Sequence, residues 1–160
     1  MPDLTHLDSE GRARMVDVSA KQPTARMARA TGTITMSAGA LELALAGGGP
    51  KGAVEGVAEI AGIMAAKRAA DLIPLCHPLA LSGAEVKVAS APGGTGLEVT
   101  ATMRTTGSTG VEMEALTAVS VALLTLYDML KAVDKTMVIG GIRIVEKTGG
   151  RSGPYRADDA

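Results

Sequence analysis

The chain has 160 residues, a length typical of a single domain. Its 16 Lys and Arg against 17 Asp and Glu give a formal net charge of -1, and its only aromatic side chains are two tyrosines. Nucleic acid is therefore not expected as a partner, because phosphate-backbone binding needs an excess of cations and single-strand binding needs aromatic faces. A hydrophobic fraction of 46 % is ample for a globular core.

The cysteine and histidine content excludes further classes. Cys76 is the only cysteine, so an intramolecular disulfide cannot form. Because Cys76, His6 and His77 are the only sulfur and nitrogen ligands, we expect no metal site. The first ten residues are acidic where a secretion signal would be basic and apolar, and no charge-free run of about 18 apolar residues occurs. We expect a cytoplasmic protein with no membrane partner.

In chain order, residues 1–14 are polar and unpatterned and are predicted to form a mobile arm. Alternation predicts short strands over 16–18 and 33–36. A short helix follows over residues 37–46. A longer helix is predicted over 52–72, where the small side chains on its apolar stripe allow a neighbouring backbone to approach closely.

The second half contains a predicted hairpin, with strands over 84–88 and 97–104 around a glycine-rich turn. A long helix is predicted over 110–133 and a strand over 137–147, with Gly140 and Gly141 as a bulge. Residues 15–148 then form a single catalytic domain, and the glycine-rich residues 149–160 a flexible tail. This order predicts an α+β fold, with a ferredoxin-like antiparallel sheet and helices packed on one face.

The middle of the long helix, residues 115–126, is apolar on almost every side. A sheet covers only one side of a helix, so we infer a subunit interface for the remainder. The alternative is that other helices of the same chain cover it.

The glycine-rich loop 47–52 is the first candidate for chemistry. Lys51 directly precedes a predicted helix N-terminus, whose free N–H groups can receive a phosphate. The loop is not a Walker A motif, because Gly52 follows the lysine. The alternative is a plain linker with a solvated lysine.

The second candidate is Leu75, Cys76 and His77, held between Pro74 and Pro78. The prolines stiffen the segment, and a histidine can bond a heterocycle or exchange a proton near neutral pH. The alternative is that Cys76 is a small core residue and His77 caps the helix.

The third candidate is the start of the long helix. Thr109 and Glu112 fit a capping box, so Glu112 is expected either to bond back to the helix start or to face a ligand. Glu114 complements the helix dipole.

Asp128 and Lys131 are the fourth candidate, one turn apart on the same helix face. As an exposed pair they would contribute roughly a few tenths of a kcal/mol. As a partly buried pair beside a second cation, they would ease deprotonation of Lys131 and serve in acid–base chemistry.

Together these segments resemble the molybdenum cofactor biosynthesis protein C family, the cyclic pyranopterin monophosphate synthases. The resemblance covers residues 14–153 and rests on Lys-Gly at 51–52, Pro-Leu-Cys-His-Pro-Leu at 74–79, Gly-Val-Glu-Met-Glu-Ala-Leu-Thr at 110–117 and Tyr-Asp-Met-Leu-Lys-Ala at 127–132. It implies a ferredoxin-like homohexamer, a trimer of dimers, with active sites between subunits and no cofactor. It also implies a phosphorus–oxygen lyase that converts 3',8-cyclo-7,8-dihydroguanosine 5'-triphosphate to cyclic pyranopterin monophosphate and releases pyrophosphate.

The resemblance also implies roles for individual residues. The catalytic residues would be Asp128, Lys51 and Lys131, with two lysines competing for one aspartate and one lysine pKa lowered. The ring-binding residues would be Leu75, Cys76, His77, Glu112, Met113 and Glu114. A triphosphate would further require Lys21, Arg26 and Lys147 in the same pocket.

The chain departs from the family pattern at Ala53, Ala69 and Arg151, where Asp, Thr and Lys are common. Two rival functions have the same residues available: a nucleotide-binding module without chemistry, and a scaffold for other cofactor enzymes. Pyrophosphate release discriminates the enzyme from the binding module, whereas a scaffold would keep its function in cells after Lys51→Ala and Lys131→Ala.

Overall fold

The computed structural model describes residues 5–47 and 53–158. Lys51 and most of the glycine-rich loop 47–52 lie outside these ranges. The elements, in chain order, are β1 Thr24–Thr35, α1 Ala38–Leu45, α2 Val54–Ala66, α3 Ala69–Leu72, β2 Gly83–Ser90, β3 Gly96–Gly107, α4 Glu112–Leu130, β4 Val138–Thr148 and β5 Tyr155–Arg156.

The strands form one sheet in the order β2-β3-β1-β4-β5, and every neighbouring pair is antiparallel. Strands β1 to β4 with their crossing helices reproduce the ferredoxin-like order. Helix α4 packs against β1, β3 and β4, and α2 packs against β2 and α4. The predicted α+β class, with an antiparallel sheet and helices on one face, is confirmed.

Small residues let α4 lie directly on the sheet. A Cβ added at Gly32 of β1 would come within 2.9 Å of the Leu123 and Val119 side chains of α4. A Cβ added at Gly62 of α2 would lie 3.0 Å from the Ala118 carbonyl oxygen of α4. The predicted close approach to the small-residue helix is therefore confirmed.

Strand β1 is longer than the predicted strand over 33–36, which is only its end. Its inward positions include Ala28, Ala30 and Gly32, so the alternation lacks large side chains. The predicted strand over 16–18 is wrong. There the Asp17 carboxylate accepts a hydrogen bond from the Ser19 backbone N–H, and the chain turns instead of extending.

The prediction of one continuous helix over 52–72 is also wrong, because this stretch forms two helices. Helix α2 ends at Ala66, and the φ of -118° at Arg68 breaks the helix before α3 begins. Helix α1 is confirmed, and the Ser37 side chain caps it by accepting a hydrogen bond from the Ala40 N–H. The predicted hairpin is confirmed as β2 and β3.

Strand β4 contains the predicted bulge. Its pairing with β1 shifts between Gly140 and Arg143, where Gly141 has a φ of +64°. Beyond the strand, β5 pairs with β4 at Glu146 and Lys147, so the predicted tail begins by folding back as a hairpin. The domain boundaries and the mobility of both ends remain predictions.

Helix α4 packs against both the sheet and α2, which together cover most of its apolar surface. Among the described helices it is the one long and apolar enough to cross a membrane, and half of that stretch is buried in the core. The alternative that other elements of the same chain cover the helix therefore accounts for much of its apolar surface. Ile60 and Met64 of α2 and Leu124 of α4 remain about 60 % exposed and carry the inference of a subunit interface.

Candidate active site

A cavity of about 330 Å³ forms where the segment after α3 meets the start of α4. We call it the Cys–His cavity. It is lined by His6, Ile73, Leu75, Cys76, His77, Thr109, Gly110, Glu112 and Met113. The structure therefore brings together five of the six residues predicted to hold a ring.

The His77 ring is fixed by a backbone carbonyl. Its Nε2 lies 2.6 Å from the Val16 carbonyl oxygen, so Nε2 donates the hydrogen bond. In the neutral ring, Nδ1 is then the nitrogen left to accept a proton or a hydrogen bond. The alternative that His77 caps a helix is not what the structure shows.

The sixth residue, Glu114, lies behind the cavity wall and is only 3 % exposed. Its Oε1 accepts a hydrogen bond from the Cys76 thiol, with Sγ and Oε1 3.7 Å apart. Burial raises the pKa of the Glu114 carboxyl. Within the described residues, its buried Oε2 has no hydrogen-bond partner.

Burial is the main reason why Cys76 stays protonated at neutral pH. Burial, together with the neighbouring Glu114 carboxylate, raises the pKa of the Cys76 thiol to about 11. A thiol nucleophile acts as the thiolate, so Cys76 is not poised for covalent catalysis. Cys76 therefore contributes a neutral thiol to the cavity lining, and this thiol can take part in hydrogen bonds.

Glu112 does not form the predicted capping box. Helix α4 begins without a side-chain cap, and Glu112 Oε1 instead accepts a hydrogen bond from Lys147 Nζ at 3.2 Å. The two side chains are 32 % and 25 % exposed, respectively. Lys147 Nζ also donates to Ser152 Oγ at 2.9 Å, so it joins the Cys–His cavity to the loop after β4.

A second and larger cavity, of about 600 Å³, lies on the other side of this bridge. We call it the cationic cavity. Its lining includes the charged side chains of Lys21, Arg26 and Arg151 and no acidic residue. Such a cavity attracts anions, because its field is not cancelled locally.

The two cavities share the segment between β3 and α4. Arg26 Nε donates to the Gly107 carbonyl oxygen at 2.9 Å, and Ser108 Oγ donates to the Lys21 carbonyl oxygen at 3.2 Å. Thr109 and Gly110, which follow directly, line the Cys–His cavity. The segment therefore ties the predicted phosphate-binding cations to the ring-binding residues.

Asp128 and Lys131 lie at the opposite end of α4. Lys131 Nζ donates to Asp128 Oδ1 at 2.6 Å, and both side chains are more than half exposed. The hydrogen bond to Asp128 raises the pKa of Lys131. Within one chain this is opposite to the lowered lysine pKa that the sequence predicts, because the carboxylate stabilises the ammonium form.

The 14 residues from Glu114 to Asp128 span about 21 Å along α4 at 1.5 Å per residue. Asp128 and Lys131 are therefore not at either cavity of their own chain. Lys51, the remaining predicted catalytic residue, lies outside the described residues.

Among the cavity-lining residues that sequence reasoning did not assign to the site are His6, Arg151 and Ser152. His6 lies in a polar segment without a motif, and no signal pointed to it. For Arg151 and Ser152 the glycines on either side were the signal, because they allow the loop after β4 to return toward the sheet. Within residues 5–47 and 53–158, no three His, Cys, Asp or Glu side chains converge to hold a metal ion.

A ferredoxin-like sheet with a Cys–His cavity beside a cationic cavity defines an α+β protein with a site suited to an anionic ligand. Residues 15–150 match the model of the MoaC family, and the chain belongs to that family.

Similar proteins cover almost the whole chain. A protein of Chloroflexus aggregans is 60 % identical over 157 residues, which are 98 % of this chain and 95 % of its own length. One of Novosphingobium aromaticivorans is 61 % identical over 98 % of this chain and 99 % of its own. One of Methylobacterium nodulans is 58 % identical over the full length of both. Each is named cyclic pyranopterin monophosphate synthase.

Proposed function

We propose that this chain is a cyclic pyranopterin monophosphate synthase of molybdenum cofactor biosynthesis, acting in the cytoplasm without a cofactor. Its substrate would be 3',8-cyclo-7,8-dihydroguanosine 5'-triphosphate, and its reaction that of a phosphorus–oxygen lyase. The observation that carries the proposal is the junction of the two cavities at Lys147, which offers adjacent places for a polar ring and a phosphate chain. The names of relatives at about 60 % identity support it.

The purine-derived ring would occupy the Cys–His cavity. Leu75 and Met113 offer apolar contacts, and His77 offers a ring nitrogen whose orientation the Val16 carbonyl fixes. Burial raises the pKa of both Glu114 and Cys76 and so favours their protonated forms. These neutral groups can bond ring nitrogens and the exocyclic amine without placing a charge against the ring.

The triphosphate would lie in the cationic cavity. Closing a cyclic phosphate forms a P–O bond between a substrate hydroxyl and the α-phosphorus, and it breaks the bond to the leaving oxygen. Pyrophosphate leaves with the bonding electron pair. Lys21, Arg26 and Lys147 would stabilise the negative charge that develops on it.

Ring opening, ring closure and phosphate cyclisation also require proton transfers. Asp128 would act as the acid–base residue, with Lys51 and Lys131 as the catalytic lysines. The Asp128–Lys131 contact of 2.6 Å allows a proton to pass between the two groups. Burial beside a substrate and a second cation would lower the Lys131 pKa from its raised value in the free chain.

The distance along α4 supports a site shared between subunits. Along the helix axis, Asp128 lies about 21 Å and Lys131 about 25 Å from Glu114 of the same chain, too far to reach one ligand. A neighbouring copy could bring its Asp128 and Lys131 to these cavities. We propose a homohexamer, a trimer of dimers, in which each active site combines cavities from one subunit with the Asp128–Lys131 pair of another.

A turnover assay on the purified chain tests the activity. We expect stoichiometric pyrophosphate and cyclic pyranopterin monophosphate from the cyclic nucleotide. Saturable binding with no pyrophosphate release would instead identify a binding module. Normal cofactor synthesis in cells that carry only the Asp128→Asn chain would identify a scaffold.

Mixed oligomers test the shared site. Arg26→Ala removes a cation from the cavities, and Asp128→Asn removes the acid–base group on α4. Each variant alone is therefore expected to be inactive. Random mixing should restore about one quarter of wild-type activity, because half of the dimers are mixed and one of their two sites is intact. No recovery in oligomers shown to be mixed would rule out sharing.

A further inference from the structure

The loop after β4 forms the part of the cationic cavity that no motif accounts for. β5 anchors it by pairing with β4, and the Gly153 N–H donates to the Gly150 carbonyl oxygen at 3.4 Å. Arg151 and Ser152 occupy the centre of this turn, and both line the cavity. The turn therefore presents an arginine to the cavity from a backbone fixed at both ends.

Two glycines in this loop are in tight contact with β1. Gly149 and Gly150 have φ values of +89° and +84°. A Cβ at Gly149 would overlap the Ala25 carbonyl, and a Cβ at Gly150 would overlap the guanidinium of Arg26. The loop backbone thus packs against Arg26 at a place where any side chain would displace it.

The opposite side of Arg26 is fixed as well, since its Nε donates to the Gly107 carbonyl oxygen at 2.9 Å. The guanidinium is held between that carbonyl and the Gly150 backbone. An arginine held in this way loses little rotamer freedom when it binds an anion, so its orientation contributes to affinity.

The charges around the cavity agree with an anionic ligand. Ser152 accepts a hydrogen bond from Lys147, which places a fourth cation at the edge of the loop. Lys21, Arg26 and Arg151 line the cavity with no carboxylate among the lining residues. A single phosphate needs fewer cations, whereas a chain of phosphates can engage all four.

We propose that residues 149–152 form a phosphate-chain loop. In it, Arg151 contacts the triphosphate directly, and Gly150 is a positioning residue that holds Arg26 toward the cavity. This assignment rests on the proposed function for the identity of the triphosphate. The loop adds a cation and a positioning device to Lys21, Arg26 and Lys147.

Gly150→Ala and Gly153→Ala form a matched pair for testing the positioning role. Both glycines have positive φ, so both alanines carry backbone strain. At Gly153 nothing lies within 4 Å of the added Cβ, whereas at Gly150 the Arg26 guanidinium must move. Binding of inorganic tripolyphosphate, measured by calorimetry, should weaken about tenfold in Gly150→Ala and stay near wild type in Gly153→Ala. Equal weakening in both variants would overturn the positioning role.

The same pair in an Arg26→Ala background shows whether Gly150 acts through Arg26. There Gly150→Ala should weaken tripolyphosphate binding no more than Gly153→Ala does. A full tenfold loss that persists without the arginine would contradict the assignment. In turnover, Gly150→Ala should lower kcat/KM more than Gly153→Ala does, because only the alanine at 150 displaces Arg26 from the triphosphate.

Arg151 is tested against Arg143, an exposed arginine that lines neither cavity. Arg151→Ala should weaken tripolyphosphate binding about tenfold and Arg143→Ala less than twofold. If both variants lose the same affinity, Arg151 acts only through the net charge of the protein, and the proposal that it contacts the phosphates is overturned. Because tripolyphosphate binding needs no turnover, a wild-type chain that binds it but releases no pyrophosphate refutes the proposed function and leaves the loop assignment standing.

Discussion

The two ends of α4 place their charged groups in opposite surroundings. At the N-terminal end, Glu114 is buried against Cys76, and Glu112 is paired with a half-buried Lys147. At the C-terminal end, Asp128 and Lys131 are more than half exposed. One helix therefore carries an enclosed binding region at its start and an open ion pair at its finish.

This difference shows which parts of the proposed site one chain completes by itself. Burial raises the pKa of Glu114 and of Cys76, and so favours their neutral forms, without any partner subunit. The exposed pair lacks such surroundings, and its hydrogen bond holds Lys131 in the charged form. A reaction that needs a proton from Lys131 thus requires a change of surroundings, which substrate and a second subunit would provide.

The largest expected effect is at the exposed end. Asp128→Asn should lower kcat by about 10²–10⁴, because it removes the proposed acid–base group. The side chain is exposed, so we expect the Tm to change little. Pyrophosphate release and thermal unfolding are measured on the same preparation. Near-normal turnover would place the proton transfers elsewhere.

Next in size is the bridge between the cavities. Lys147→Met should raise KM about tenfold, because it removes a cation from the phosphate site and leaves Glu112 without its partner. Lys87→Met is the control, since the Lys87–Glu85 pair is more exposed and lies on β2. The bridge has no role in binding if the two variants share the same KM.

A smaller effect is expected at Asp134, just beyond the C-terminal end of α4. Its carboxylate accepts hydrogen bonds from the Ser37 N–H at 2.7 Å and from both the N–H and hydroxyl of Thr136. The bond from Ser37 is the main cause of its lowered pKa. The stabilisation is present above the ordinary pKa of 3.8 and is lost as pH falls through the lower folded value.

Asp134→Asn should therefore lower the Tm at pH 7, and the difference from wild type should shrink below about pH 4. Thermal unfolding between pH 3 and pH 8 measures this. A Tm difference that is the same at every pH would show that shape, and not charge, makes Asp134 stabilising.

The smallest effect, with the opposite sign, is expected at Glu114. Its pKa is raised by burial, so the folded state favours the protonated form and loses stability as pH rises above the ordinary value of 4.5. Glu114→Gln keeps an acceptor for Cys76 and removes the ionisation. Its Tm should exceed that of wild type by a few degrees at pH 8 and by less at pH 4.5.

The Glu114 comparison needs substrate-free protein, because a bound ring would change the surroundings of the carboxyl. Glu112→Gln is a useful second variant, since Glu112 is paired with Lys147 and is not expected to gain stability from neutralisation. If Glu114→Gln is less stable than wild type across the whole pH range, Glu114 is ionised and satisfied in the fold.

The sequence predicted the elements that have large or regular side chains. The hairpin of β2 and β3 alternates clearly between apolar and polar residues, and the middle of α4 is apolar on almost every side. Most of β1 was missed because its buried positions are Ala28, Ala30 and Gly32, which pack tightly but give no periodic signal. A buried strand is recognised in a sequence by its large apolar side chains. In most of β1 the buried side chains are small, and the space is filled because the neighbouring helix packs close to the strand backbone.

The candidate site was predictable to the extent that its residues fall in motifs. Cys76, His77 and Met113 were found through their motifs and do line one cavity. Glu112 and Lys147 were both predicted as site residues, but their pairing was not, because they lie 35 residues apart and only the sheet brings the two together. Long-range pairing of this kind is set by topology and cannot be obtained from local spacing.

The absence of a side chain at Gly32 has a further consequence for α4. With Leu123 and Val119 pressed onto the strand at that point, the helix has no room to slide or roll on the sheet. It then acts as a fixed spacer between its two ends. Inserting one residue in its second half would turn Asp128 by about 100° around the helix axis while leaving every cavity residue in place. The geometry of the proposed shared site would thus depend on the number of residues along a single helix.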